Sequence, residues 1–174
     1  MSKYTCIIYS ILLGIFSAQT NAGSPGAGPQ GFTNSSLKGF HTVAVHIDPP
    51  EAPYYADISR YGVSRTKLEE QVTKRLQDAG IHVISLAQAI EDPAAALIEL
   101  RLRVAMPNNL YYSIGLNLSV RRKATLAPGN NAYYSVETWS DGLVGGLAQT
   151  DLPKIYTYTS QIVDRFIAAY QTQN

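Results

Sequence analysis

The stretch Leu97 to Val120, LIELRLRVAMPNNLYYSIGLNLSV, restricts the fold more than any other part of the chain. Ile98, Leu100, Leu102 and Val104 alternate with Glu99, Arg101 and Arg103. Beyond Pro107-Asn108-Asn109, Tyr112, Ile114, Leu116, Leu118 and Val120 alternate with Ser113, Gly115, Asn117 and Ser119. A period of two sends successive side chains to opposite faces, so the stretch predicts a β-hairpin with one apolar and one wet face. Sliding one strand by a single residue would turn its whole apolar set into water, which fixes which faces must match. A three-residue loop meets this requirement and pairs Met106 with Leu110, Val104 with Tyr112 and Leu102 with Ile114. Pro107 and Asn108 then sit in a type I turn, with Asn109 in the left-handed closing position.

The rest of the chain supplies partners for that hairpin. His41 to Ile47 reads as a short strand ended by the prolines of Asp48-Pro49-Pro50-Glu51-Ala52-Pro53, because proline cannot donate to a ladder. Tyr54 to Gly62 reads as an irregular connection carrying three tyrosines. Leu68, Val72, Leu76 and Ala79 form one stripe at helical spacing, so a helix is expected over about Ser64 to Ala79. Its cap is either Ser64 or a Thr66–Glu69 box, and Gly80 is its left-handed stop. Ile81 to Leu86 is apolar on both faces and is expected to be a central strand, parallel or near-parallel to the first through a right-handed crossover. Ala87 to Ala96 is ambiguous, with Asp92-Pro93 able to open one helical turn. The second hairpin strand extends to about Leu126, and Pro128 to Asn131 supplies turn chemistry. Tyr133 to Trp139 alternates as a further strand, and Ser140 to Gln149 reads as a glycine-bearing connection. A terminal helix over about Leu152 to Thr172 is expected from the stripe Ile155, Thr159, Ile162, Phe166 and Tyr170, widened by Val163 and Ile167.

Together these elements predict an α+β two-layer sandwich: a mixed, mostly antiparallel sheet with two helices on one face, in the order β-α-β-β-β-β-α. With 174 residues and 45% hydrophobic content the chain suits one core, expected over residues 39–174.

The beginning of the chain reads as an export address. Lys3 precedes the apolar run Cys6 to Phe16 (CIIYSILLGIF), whose length suits a secretory signal and is too short for a transmembrane helix. Cleavage is expected after Ala22, with Ala18 as second choice; a retained anchoring helix is the alternative. Gly23 to Lys38 reads as a flexible leader rich in Gly, Pro, Ser and Asn. The expected location is therefore periplasmic or secreted. Cys6 is the only cysteine, so the body has neither a disulfide framework nor a thiolate metal site.

No motif specifies a reaction, and no cofactor or metal is expected. The net charge of +1 provides no global field for nucleic acid. Gly142, Gly145 and Gly146 are not followed by the Gly-Lys-Ser/Thr of a phosphate cradle, and Ser140-Asp141 lacks a nucleophile-elbow pattern. The strongest surface feature is cationic: Arg101, Arg103, Arg121, Arg122 and Lys123. By parity Arg122 points inward. Tyr111, Tyr133 and Trp139 share the outward parity, which sets rings among the guanidinium groups. Such a face pairs with phosphate or carboxylate, so a cell-envelope protein or an anionic glycolipid is the expected partner. A plain solvated sheet face explains the same pattern. Two other readings stand beside the non-enzymatic binding module. One is a metal-dependent enzyme using His46, Asp48 and His82. The other is a docking protein whose strand at Val43 or at Tyr133 joins a partner's sheet.

The order of elements, from Gly39-Phe40-His41 through LEEQVTKRLQDAGI (Leu68 to Ile81) to the hairpins and final helix, resembles the small lipopolysaccharide-assembly lipoproteins of Gram-negative outer membranes. The likeness covers residues 39–171 in topology. It implies an envelope role, and by analogy a lipopolysaccharide-facing surface at Arg101, Arg103 and Arg121. The chain lacks that family's lipid-attachment cysteine, so neither its membrane anchor nor its plug role carries over.

Overall fold

The computed structural model describes residues 34–108, 111–125 and 133–174. The expected signal, most of the leader, Asn109 of the first turn and the Pro128–Asn131 turn lie outside the described residues.

Among the described residues five strands form one open mixed sheet: β1 (Thr42–Asp48), β2 (His82–Ile84), β3 (Ala96–Asn108), β4 (Tyr111–Thr125) and β5 (Tyr133–Leu147). Their order across the sheet is β2-β1-β3-β4-β5. β1 runs parallel to both β2 and β3, while β3-β4-β5 is an antiparallel meander. Among the described residues four α-helices accompany them: α1 (Ala52–Arg60), α2 (Arg65–Asp78), α3 (Leu86–Glu91) and α4 (Lys154–Gln171). The α+β architecture is as the alternation predicts.

The centre of the sheet's inner face is apolar. Val43, Ile47, Ile98, Leu100, Leu102, Ile114, Leu116 and Leu118 pack there against Ile58 of α1, Leu68, Val72 and Leu76 of α2, and Ile155, Ile162, Val163 and Phe166 of α4. α2 begins at Ser64, whose hydroxyl accepts from the Lys67 N–H, so Ser64 rather than Thr66 is the cap. It ends in a Schellman motif, with the Gly80 N–H on the Gln77 carbonyl and the Ile81 N–H on the Leu76 carbonyl. Gly80 has φ of +80° there, where a Cβ would be strained. Tyr156 of α4 joins the two helices: its hydroxyl accepts from the Ser64 N–H and donates to the Gly62 carbonyl, both at 2.9 Å.

Several expectations are corrected. The hairpin pairs Val104 with Ile114 and Leu102 with Leu116, two residues from the expected register. A bulge between Ala105 and Asn108 absorbs the difference, so the apolar faces still match. Tyr54 to Arg60 is helical rather than irregular. Pro53 falls in the first turn, where its missing N–H costs nothing. β2 is an edge strand of three residues, not a central one, because Ser85 turns the chain into α3 through a capping box with Gln88. Residues 34–37, read as leader, form a 3-10 turn that buries Leu37. Helices lie on both faces: α1, α2 and α4 pack on the inner one, whereas α3 sets Ala89 against Ala44 and Ala95 on the outer one. Ser140 to Leu147 is not a loop but the second half of β5.

Candidate functional site

The outer face of β1, β3 and β4 carries a chain of charges created by strand register. Parallel pairing sets Asp48 beside Arg101 and His46 beside Glu99. Antiparallel pairing sets Arg101 beside Asn117 and Arg103 beside Gly115. From these positions Arg121 reaches Glu99 at 3.6 Å, and Glu99 accepts from Arg101 at 3.2 Å. Arg101 also donates to Asp48 at 3.2 Å, and Asp48 accepts from Arg103 at 2.8 Å. Three cations thus share two carboxylates across three strands.

Each of these three arginines is therefore paired with a carboxylate. Partial burial pulls the Asp48 carboxyl upward, but the hydrogen bonds and charges of Arg103 and then Arg101 outweigh it and hold the group below its ordinary value of 3.8. Glu99 is the most enclosed member, with its side chain 14% exposed, and Arg103 the most open at 56%. Only Arg103 combines one carboxylate contact with a largely solvated guanidinium.

Beside Arg103 the sheet surface is hollowed. Arg101, Arg103, Gly115, Asn117, Gly142 and Val144 line a shallow depression of about 350 Å³. Its floor is low because Gly115 and Gly142 supply no side chains. Glycine is required at 142, where a Cβ would lie 2.6 Å from the Leu116 carbonyl oxygen. A larger open groove of about 590 Å³ runs between α2 and α4. Its charges are matched within itself, Arg75 to Asp164 and Lys74 to Asp78, leaving no cation free for a ligand. The ion-paired chain on the outer sheet face, with three cations to two carboxylates, is the better candidate for binding an anion.

The residues expected to form one Arg/Tyr surface are placed differently from one another. Arg101, Arg103 and Arg121 come together on the outer face. Trp139 is corrected to the inner face: it is 8% exposed and packs edge-on to Phe166 with ring centroids 5.4 Å apart. The cause is a bulge in β5. Val120 pairs with Trp139 and Arg121 with Glu137, so Thr138 is the extra residue and parity changes there. Tyr111 is on the outer face and exposed, but sits four residues along β4 from the partner of Arg103, with its ring edge over Gly146. Tyr133 pairs through its backbone with Thr125; its side chain lies outside the described residues.

Arg122 points inward as its parity requires, its guanidinium carbon 5.5 Å from the Phe40 ring centroid. Lys123 caps α3, donating to the carbonyls of Ala89, Ile90 and Asp92. The trio His46, Asp48 and His82 is not assembled. His82 pairs with Thr42, four residues along β1 from His46, and Asp48 is taken up by two arginines. Among the described residues no three His, Cys, Asp or Glu side chains group as metal ligands, and no helix is long and apolar enough to cross a membrane. The strand at Val43 is not an edge there, since Thr42 to Ala44 pair with β2 and Val43 to Asp48 with β3.

Sequence reasoning missed Asp48 and Glu99 as organisers of the site. The signal lay in parity: both are outward residues of strands that a parallel β1–β3 pairing brings side by side.

No known protein family matches the sequence, and no curated relative does. Among solved structures, the chain is similar to a hypothetical protein from Chlamydia trachomatis, at 11% identity and a TM-score of 0.38. That match covers 77% of this chain and 97% of the other. It is also similar to a minor lipoprotein from Acinetobacter baumannii, at 10% identity and a TM-score of 0.30, covering 77% of this chain and 91% of that one. Likeness at this level carries no statement about activity.

Proposed function

We propose that this chain is an exported, non-enzymatic binding module of the bacterial cell envelope, contacting an anionic ligand or partner protein through the outer face of its sheet. The observation that carries the reading is the charge chain Arg121–Glu99–Arg101–Asp48–Arg103, which ends in a solvated guanidinium beside a glycine-floored hollow. Guanidinium groups already held by neighbouring carboxylates lose little freedom when a phosphate or carboxylate arrives, and their forks match both anions. The apolar run Cys6 to Phe16 supports the export half of the reading. A phosphorylated glycolipid headgroup and an acidic peptide edge both have the required chemistry.

The test is a titration with each of these two probes, following the arginine Nε–H resonances. Charge reversal would set new glutamates beside Asp48 and Glu99, so glutamine is the informative replacement. A saturable shift at Arg103 with one probe is expected. In Arg101→Gln/Arg103→Gln the binding heat of that probe, read by calorimetry, should be lost while the circular dichroism spectrum is retained. No shift with either probe, or equal binding by the double variant, contradicts the reading.

A further inference from the structure

β5 is one of the two edges of the sheet, and its open side is protected unevenly. The Thr138 carbonyl accepts from the Ser36 hydroxyl, so the turn at Asn34–Leu37 covers that end. The Gly142 N–H is held by the Asp141 carboxylate at 2.7 Å, and Arg165 of α4 fixes that carboxylate in turn. Both of these backbone groups face away from β4. Because main-chain groups alternate in direction along a strand, Val144 and Gly146 also point theirs outward. Residues 143–147, Leu-Val-Gly-Gly-Leu, contain neither charge nor proline, the usual means of blunting an edge. Val144 is 83% exposed, and Tyr111, at 43%, is the exposed aromatic on the same face.

We infer that this chain associates with a second copy of itself through the end of β5 that none of the described residues covers, antiparallel, with the two-fold axis at Gly145. In that register Val144 of one copy pairs with Gly146 of the other, using the four outward N–H and C=O pairs and leaving the Asp141–Gly142 contact intact. Where Gly146 lacks a side chain, the edge of the Tyr111 ring fills the space, 3.6 Å from the position a Cβ would take. Val144 of one copy therefore meets Tyr111 of the other, and the two exposed apolar groups cover each other. On the inner side Leu143 meets Leu147, and no like charges face. A C2 interface requires this self-complementarity, with residue i on j and j on i. The small contact makes a dimer that dissociates on dilution.

Sedimentation velocity over a hundredfold concentration range should show a monomer–dimer equilibrium. Val144→Lys puts a charge at an already exposed position and should weaken association by roughly tenfold or more. In a Cys6→Ser background, Gly145→Cys places the thiol at the site where opposite side chains approach closest. A Cβ there meets nothing within 4 Å, so oxidation should give a covalent dimer. A monomer at every concentration overturns the inference, as does a dimer that survives Val144→Lys. A dimer in which Gly145→Cys fails to cross-link also overturns it, because the axis then lies elsewhere. If the edge instead receives another protein's strand, the purified chain is monomeric and the inference fails.

Discussion

The two faces of this sheet come from the same strands, yet they are held by different physics. On the inner face, Leu100, Leu118, Ile162 and Phe166 are fully enclosed, and their contribution comes from area removed from water and close packing. On the outer face, the Arg121-to-Arg103 chain is partly solvated, and each of its ion pairs adds little to stability. The inner face makes the fold. The outer face keeps its charges in order while leaving them partly open to solvent.

Substitutions should separate the faces by magnitude. The largest effect is expected for Phe166→Ala, which empties a site packed against Trp139 and Tyr170. It should cost about 3–5 kcal/mol, read by urea denaturation. Gly142→Ala is the outer-face position that should break the pattern. Its Cβ would push into the Leu116 carbonyl, and a backbone shift of that kind costs about 1–3 kcal/mol. A neutral result at Gly142 would mean that the strands separate more easily than the register implies. Lys123→Met removes the charged donor from three carbonyls at the end of α3. It should cost about 1 kcal/mol and speed amide exchange in α3 before any other element.

The smallest effect belongs to Asp48→Asn, under about 1 kcal/mol because both its partners are substantially solvated. The sign of its pH dependence follows from the direction of its shift. Asp48 titrates lower in the folded protein than its ordinary 3.8, so its contribution is complete above that value and is lost as pH falls through the depressed one. The difference between the native chain and Asp48→Asn should therefore be constant at neutral pH and shrink in acid. High salt should reduce it as well. A difference that grows in acid would contradict the ion-pair account. At the opposite end of the pH scale, the Asp57 hydrogen bond, and then burial, keep the Tyr112 phenol neutral beyond its ordinary 10.0. That anchor of α1 to the sheet is lost as pH rises through the raised value.

The inner face was legible in the sequence because a period of two or of 3.6 records burial directly. The stripes at Leu68-Val72-Leu76 and Ile155-Thr159-Ile162-Phe166-Tyr170 are all buried. What escaped was set by neighbours distant in the chain. Asp48 and Glu99 join the arginines only because β1 lies against β3, and no local pattern announces that adjacency. Pro53 reads as a terminator of β1 and serves equally as the first turn of α1. The glycines of β5 read as a loop, yet a strand accepts them where β4 supplies the ladder. The candidate site was accordingly half visible. Its three arginines share a parity that can be read along each strand, whereas Trp139 was misassigned because one extra residue, Thr138, reverses the alternation.

That reversal is the most direct point of attack, and the chain has a single tryptophan with which to probe it. Acrylamide quenching of Trp139 fluorescence reports which face the indole occupies. Blue-shifted emission and weak quenching are expected, and both should persist until cooperative unfolding. Water-like emission with free quenching in the folded protein would put Trp139 on the outer face among the arginines, and the division between the two faces would be wrong.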